Sequence, residues 1–161
     1  MEPSKIPGIV EIDIQQIIEL KREADVAPLK RARYCLHRST NDSVQEMVIA
    51  FRRGSYVRPH RHNQKSESFH LLEGRLMVLF FDDQGILSHR IRMEQPGGTV
   101  IFRNHSLLWH TLILLTEYAV VHEIATGPFV KEEGEFAPWS PAPESRAEVD
   151  HFLGRMEALC L

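Results

Sequence analysis

The chain has 161 residues, which fits one domain with a single buried core. Its 43% hydrophobic and 25% charged residues are typical of a globular protein, and the net charge of -3 gives no electrostatic reason to expect a nucleic-acid partner. No apolar run reaches the about 18 residues that span a membrane, so we expect no membrane association. The two cysteines, Cys35 and Cys160, stand at opposite ends of the chain. This usage, with no signal-peptide pattern at the start, favours a reduced, cytoplasmic protein.

Two helix-capping patterns occur before residue 54. Asp13 and Gln16 resemble a capping box, and isoleucines at helical spacing follow, so residues 13–24 are predicted to form a short amphipathic helix. Ser43 and Glu46 repeat the pattern, which predicts a second short helix or turn before Phe51. We therefore expect residues 1–53 to form an N-terminal extension of helices and strands.

From Gly54 onward the sequence is typical of an antiparallel β domain. Short runs rich in Val, Ile, Leu, Phe and Thr alternate with glycine and Asx turns. These runs predict strands at residues 67–73, 75–81, 86–93, 98–103, 109–115 and 118–124. Gly54 and Gly74 are expected to be turn residues that bracket the first two strands. Many short strands at regular spacing favour a sandwich or barrel, and we place this core at residues 54–127.

Residues 128–161 are predicted to form a C-terminal arm and a helix. The arm, residues 128–143, combines acidic residues with prolines, which is typical of irregular chain lying over a surface. Ser145 and Glu148 resemble a third capping box. The apolar residues that follow share one helical face: Val149, Phe152, Leu153 and Met156. The predicted helix therefore packs against another part of the protein.

The clearest chemical signal lies between Gly54 and Gly74. Alternate side chains of a strand share a face, so the imidazoles of His60 and His62 are able to converge on one ion. If residues 63–66 form a loop, Glu67 returns beside them and supplies a third ligand. Two imidazoles and one carboxylate leave positions open on a divalent first-row metal for a substrate or dioxygen. The alternative is a polar patch in a basic loop.

His110 is the best candidate for a fourth ligand. It begins the run WHTLILL, which is typical of a strand entering the core, after a polar bend at residues 104–106. The alternative is a core histidine bonded to a backbone carbonyl, the usual role of a lone histidine on an apolar strand. An apolar cavity wall is expected from the residues that share strand parity with the ligands: Phe69, Leu71, Leu112 and Leu114.

The stretch from Gly54 to Gly74 resembles the first cupin motif, G-x5-H-x-H-x4-E-x6-G, at every position. The second cupin motif, PxGxxHxxxN, is matched only by His110, because its proline, glycine and asparagine positions hold His105, Leu107 and Leu114. Phrases such as ARYCLH, KSESFHLLEGRL and EFAPWSP extend the likeness, and residues 13–141 resemble the WbuC-type cupin fold metalloproteins.

This resemblance implies an all-β fold, the cupin double-stranded β-helix or jelly-roll barrel, with short flanking N- and C-terminal helices. It also implies a metal site of three histidines and one carboxylate, here His60, His62, Glu67 and His110. Cupins commonly form homodimers through sheet edges and terminal arms. Members of the WbuC-type family occur among genes for O-antigen and other surface-polysaccharide synthesis, and the resemblance names no reaction.

Three residues outside the ligand set are candidates for substrate binding. Tyr56 and Arg58 share strand parity with His60, so they are predicted to line the cavity, where the guanidinium of Arg58 is able to bind a carboxylate or phosphate. The alternative is that Pro59 breaks the alternation and Arg58 is a solvated residue at the rim. His37 precedes the barrel and is a candidate for a substrate contact or proton shuttle, with a surface or capping role as the alternative.

Glu123 is the candidate catalytic residue. It follows His122, and strand alternation allows only one of the two to face the core. An inward carboxylate near a metal is able to act as a general base, and the alternative is a buried acid paired with an arginine. His70 has the opposite parity to Glu67 and is therefore predicted to point outward and not to bind metal.

These observations favour a metal-binding cupin with one divalent ion, which is iron, manganese, zinc, nickel or copper. We expect a metal-dependent enzyme of the isomerase, epimerase, lyase or oxygenase type. Its substrate is expected to be a small carbohydrate-related or carboxylate-bearing molecule, in surface-polysaccharide synthesis. The alternatives are a non-catalytic module that binds a sugar or another small molecule and a structural metalloprotein. The expected partners are a small-molecule ligand and a second copy of the chain.

Overall fold

The computed structural model of the protein describes residues 8–63, 65–130 and 134–161. It contains two helices that flank one antiparallel sheet of eight strands. In chain order the elements are α1 (Ile14–Val26), β1 (Arg31–Cys35), β2 (Val44–Arg52), β3 (His60–His62), β4 (Glu67–Phe81), β5 (Leu87–Met93), β6 (Ile101–Asn104), β7 (Trp109–Thr126), β8 (Gly134–Phe136) and α2 (Arg146–Ala158).

The two longest strands, β4 and β7, organise the sheet. Strand β7 pairs with β2, β3 and β4, and β4 pairs with β5, β6 and β7. Strand β1 continues the sheet beyond β2, and β8 continues it beyond β3. Because each long strand changes partners along its length, the sheet curls around its own apolar face, as in a jelly-roll barrel.

Three apolar clusters hold this arrangement together. The first fills the interior of the curled sheet and includes Phe69, Leu71, Leu112 and Leu114, the four residues predicted to form the cavity wall. The second lies between the sheet and α2, and the third lies between α1 and strands β1, β2 and β7. The prediction of a sheet-based core with flanking helices is therefore confirmed.

Both predicted terminal helices are present, but one of their caps differs from the expectation. Helix α1 begins with the predicted capping box, in which Asp13 accepts from the backbone of Gln16 and Gln16 accepts from the backbone of Asp13. Helix α2 buries Val149, Phe152 and Met156 as predicted. Ser145 stands at its N-cap without a side-chain capping bond, so the predicted third capping box is wrong.

The helix or turn predicted from Ser43 to Glu46 is wrong, because the segment leads into strand β2. Both faces of β2 are buried: one lies in the barrel interior and the other packs against α1. The strand is therefore a nearly continuous apolar run without the alternation that identifies a half-buried strand. The capping-like pattern of Ser43 and Glu46 was therefore the stronger local signal, and it led to the prediction of a helix or turn.

The predicted strand pairs 67–73 with 75–81, and 109–115 with 118–124, each form one long strand, β4 and β7. Gly54 lies in a turn as predicted, but Gly74 lies inside β4, where the register with β7 shifts. Gly74 has φ +82°, and a Cβ there would lie 2.1 Å from the carbonyl oxygen of Tyr118. Glycine is needed here for a β-bulge, not for a turn between strands.

Parts of three predicted segments lie outside the described residues: residues 1–7 of the N-terminal extension at 1–53, Gln64 of the loop at 63–66, and residues 131–133 of the arm at 128–143. The described part of the arm includes strand β8, so it is not irregular throughout. In the described part of the chain, no helix is long and apolar enough to cross a membrane.

Candidate metal centre

Three strands bring the predicted ligands together. His60 and His62 alternate along the short strand β3, and His60 is the direct cross-strand partner of His110 on β7. Glu67 opens β4 after the loop. The centroids of the His60 and His110 rings are 4.4 Å apart, and those of His60 and His62 are 4.9 Å apart. The predicted convergence of three imidazoles and one carboxylate is therefore present in the fold.

The spacing of the ligand atoms fits one ion. One nitrogen from each histidine and one oxygen of Glu67 all lie within 4.8 Å of one another. His110 Nε2 is 2.6 Å from Glu67 Oε1, and His62 Nε2 is 3.5 Å from Glu67 Oε2. Ligands about 2.1 Å from a shared ion lie at most about 4.2 Å from each other, so small side-chain adjustments would let all four residues hold one ion.

The hydrogen bonds of the rings leave nitrogen lone pairs for an ion. His60 Nδ1 is 2.9 Å from the carbonyl oxygen of Arg58. A carbonyl only accepts, so this nitrogen carries the proton and Nε2 is free to coordinate. His110 Nε2 is buried, has no assigned hydrogen bond with a described residue, and lies 2.6 Å from Glu67 Oε1. A buried nitrogen without a hydrogen bond is costly unless it binds something else.

Asn104 supports the site and was not identified from the sequence. Its side-chain nitrogen donates to Glu67 Oε1 at 3.2 Å, and its side-chain oxygen accepts from the backbone N–H and the hydroxyl of Ser106. Asn104 is also the cross-strand partner of Glu67 on β6. The signal that could have found it is the sequence Asn-His-Ser, in which an Asx turn fixes the asparagine side chain. Such supporting residues orient metal ligands.

The electrostatics of the cluster favour a neutral His60 and an ionised Glu67. Burial, followed by the neighbouring His110, lowers the pKa of His60 to about 3. Burial alone raises the pKa of Glu67, but His110 and His62 outweigh burial and hold the pKa well below its ordinary value. The hydrogen bond to Glu67 raises the pKa of His62. A neutral imidazole and an ionised carboxylate are the forms that bind metal.

Glu123 faces the barrel interior. Its cross-strand partners, Met47 on β2 and Phe69 on β4, both belong to the interior cluster. Burial, followed by the negative charge of Glu67, raises the pKa of Glu123 to about 7. His122 points to the other face, where its Nε2 lies 2.9 Å from Glu46 Oε1. Of the two adjacent residues, the structure places the carboxylate on the same side as the metal cluster.

Tyr56 and Arg58 are not brought to the cluster. The Tyr56 hydroxyl donates to the carbonyl of Pro141, and the ring contacts Phe152 of α2. The Arg58 guanidinium donates to Ser140 and lies over the ring of Phe136. The expected shared face with His60 is therefore not present. Pro59 interrupts the strand, and β3 begins only after it, so alternation cannot be extended back to residue 56.

The other two histidines considered from the sequence also lie apart from the ligands. His37 Nδ1 is 3.0 Å from the backbone nitrogen of Glu46, an interaction that fits the capping alternative. Among the described residues, the group that fits a metal does not include His70. His70 pairs across the sheet with His122 and Ile101, on the face opposite to Glu67.

Comparison with known proteins identifies a sequence family. Residues 12–93 match the family described as Domain of unknown function (DUF6016). The chain belongs to this family. No curated protein matches it significantly. The matched residues include β3 and the start of β4, so the DUF6016 domain covers His60, His62 and Glu67, while His110 follows it.

Solved structures similar to this DUF6016 protein share its fold. Protein SO0799 from Shewanella oneidensis aligns with a TM-score of 0.59 and 11% identity, over 78% of this chain and 85% of that chain. Capsular polysaccharide assembling protein CapF from Staphylococcus aureus aligns with a TM-score of 0.56 and 15% identity, over 65% of this chain and 29% of that chain.

A third structure is oxalate oxidase in complex with the substrate analogue glycolate. It aligns with a TM-score of 0.53 and 17% identity, over 70% of this chain and 58% of that chain. At these identities the likeness concerns the fold alone. It confirms the predicted cupin jelly-roll fold.

Proposed function

We propose that this cupin binds one divalent metal ion through His60, His62, Glu67 and His110 and acts as a metal-dependent enzyme on a small molecule. The observation that carries the proposal is the convergence of four ligand atoms within 4.8 Å, one of which is a buried imidazole nitrogen without a hydrogen bond. Three imidazoles and one carboxylate suit iron, manganese, zinc, nickel or copper.

When bound, a divalent ion in such a shell acts as a Lewis acid that polarises an oxygen of the ligand and stabilises negative charge on it. The protein's own residues provide the surroundings. Phe69, Leu71, Leu112 and Leu114 belong to the buried apolar cluster of the barrel interior. Glu123 lies on the same side with a pKa of about 7, so it is able both to accept and to release a proton near neutral pH.

The proposed substrate is a small carbohydrate-related or carboxylate-bearing molecule, and the proposed reaction is an isomerisation, epimerisation, elimination or oxygenation. Two likenesses support this choice. The chain resembles the WbuC-type cupins of surface-polysaccharide synthesis, and CapF is named as a capsular polysaccharide assembling protein. Glycolate, the ligand of the similar oxalate oxidase, is a small hydroxycarboxylate. Open coordination positions support binding of such a molecule over a purely structural metal, because structural sites usually close their shell.

The test uses protein purified without a histidine tag and loaded with Co²⁺, whose visible spectrum reports its ligands. Small sugars, sugar acids and hydroxycarboxylates are added in turn, and mass spectrometry follows each mixture for product. We expect at least one compound to change the spectrum and to be converted. His62→Ala should abolish conversion while the circular dichroism spectrum is unchanged, and His70→Ala is the matched control.

Two other results would separate the alternatives. Tight binding by calorimetry with no product in any mixture would indicate a binding module without catalysis. A large loss of thermal stability on chelation, with no compound bound, would indicate a structural metal. Either result contradicts the proposed enzyme.

We also propose that the protein is a cytoplasmic homodimer. Among the described strands, β1 pairs only with β2, so its outer edge is available to a second copy. The exposed Cys35 is a free thiol, which fits a reducing compartment. Light scattering during gel filtration should give twice the mass of the 18.6 kDa chain. A monomer at micromolar concentration would contradict the dimer.

A further inference from the structure

Strand β1 places two arginines on the face of the sheet that lines the barrel interior. Arg31 is the cross-strand partner of Phe51, and Arg33 is the partner of Ile49. Phe51 and Ile49 belong to the interior cluster, and direct partners in an antiparallel pair point to the same face. The intervening residues of β1, Ala32 and Tyr34, pack on the opposite face against the cluster that contains α1. The two guanidinium groups therefore belong to the same side of the sheet as Glu123.

Among the described residues, Glu123 interacts electrostatically with both guanidinium groups but does not bond to either. The side chains of Arg31 and Arg33 make no hydrogen bond, ion pair or ring contact with residues 8–63, 65–130 or 134–161. Arg31 is partly buried, and Arg33 is exposed beside it. Burial, followed by the charge of Arg33, lowers the pKa of Arg31, while Glu123 acts in the opposite direction. Two adjacent cations, one of them partly buried, are costly to keep without an anion.

By contrast, several arginines in the described part of the chain are paired with a carboxylate. Arg61 binds Glu135 and Asp83, and Arg92 binds Glu94. Glu123, the acidic residue of the interior that is close enough to influence the pKa of Arg31, forms no ion pair with it. The single negative charge of Glu123 therefore does not neutralise both guanidinium groups.

We propose that Arg31 and Arg33 bind the carboxylate or phosphate group of a small organic anion whose other end reaches the metal centre. This inference rests on the proposed function and narrows its substrate class to anions. Guanidinium groups form paired, charge-assisted hydrogen bonds with both kinds of oxyanion. The metal ligands, Glu123 and the two arginines together carry two negative charges, on Glu67 and Glu123, and two positive charges, on Arg31 and Arg33. A bound divalent ion would add two more positive charges on this side of the barrel. An anionic ligand balances that excess.

The experiment compares ligands that differ only by the second anionic group. Succinate is compared with butyrate, and phosphoglycolate with glycolate, by calorimetry on protein loaded with Co²⁺. We expect the doubly anionic member of at least one pair to bind roughly tenfold or more tightly than its partner, since one hydrogen-bonded charge is worth about that factor. The pair that shows the preference tells whether the group is a carboxylate or a phosphate.

Substitutions of the two arginines test whether they cause the preference for the doubly anionic ligand. Arg31→Gln and Arg33→Gln should each remove most of it and leave the affinity for Co²⁺ and for the singly anionic ligands unchanged. Arg31→Lys should retain part of it, because the charge remains without the planar donor pair. Arg22→Gln on the exposed side of α1 is the matched control and should behave as the unchanged protein.

Failure of this inference is distinguishable from failure of the proposed function. Equal binding within both ligand pairs, or an undiminished preference in both glutamine variants, would overturn the anion site while Co²⁺ still binds. If the protein takes up no Co²⁺, the proposed function fails, and the arginines are then tested in the metal-free protein with inorganic phosphate. Weaker phosphate binding by both glutamine variants would support the anion site, and equal binding would overturn it.

Discussion

Replacement of Glu123 by Gln should make the metal-free protein more stable at alkaline pH and leave it unchanged at acidic pH. The pKa of Glu123 is raised from 4.5 to about 7, chiefly by burial. That difference corresponds to about 3 kcal/mol. The side chain is only partly buried, so water weakens the effect, and we expect about 1–3 kcal/mol.

The direction follows from which state binds the proton. Between pH 4.5 and 7 the folded protein keeps the Glu123 proton that the unfolded chain has released, so the free energy of unfolding falls as the pH rises through this range. Below pH 4.5 both states are protonated and the effect vanishes. Above pH 7 both are ionised and the penalty is constant. Glutamine carries no charge at any of these pH values and so removes the penalty.

Urea denaturation of both proteins at pH 4.5, 6, 7 and 8, in the presence of a chelator, measures the difference. The difference should grow from near zero to its full size across this series and should shrink when a divalent ion is added, because a nearby cation favours the ionised carboxylate. Glu117→Gln, an exposed position on the same strand, is the matched control and should show no such trend. A difference independent of pH would refute the interior, partly buried position of the Glu123 carboxylate.

Three further substitutions test other parts of the structure. His62→Ala should reduce metal affinity by more than the about 10–100-fold that loss of a supporting residue costs, and His70→Ala should leave the affinity unchanged. Asn104→Ala should reduce metal affinity by about 10–100-fold without unfolding the protein, because it removes the donor to Glu67; unchanged affinity would contradict that role. Gly74→Ala should lower the free energy of unfolding by at least about 3 kcal/mol, because the new Cβ meets a carbonyl oxygen, whereas Gly97→Ala, with positive φ and open space around it, should cost only about 1–2 kcal/mol.

The sequence predicted the ligand cluster because that information is local. His60 and His62 alternate within one short strand, and Glu67 follows after one loop, so spacing alone brings these side chains together. His110 was harder to predict, since its position depends on the pairing of His60 with His110 across 50 residues of chain, and it was assigned as a ligand through the resemblance to the cupin motifs. The apolar residues of the interior were predicted because they alternate along the same strands as the ligands: Phe69, Leu71, Leu112 and Leu114.

The sequence did not predict the features that depend on which strands are neighbours. Arg31 and Arg33 lie in a segment that was assigned to an N-terminal extension, and only the pairing of β1 with β2 shows that they face the interior. The prediction for Tyr56 and Arg58 also assumed that side chains alternate along one continuous strand from residue 56 to His60. Alternation holds within a continuous strand, and a proline at its start ends that continuity.

Anomalous diffraction from crystals of protein purified without a histidine tag tests the metal centre most directly. The structure predicts one strong anomalous peak, within about 2.0–2.3 Å of Glu67 and of the nitrogens of His60, His62 and His110. Its variation with X-ray energy identifies the element. A peak elsewhere, or none at this position in protein that was offered each candidate ion, would contradict the proposed metal site.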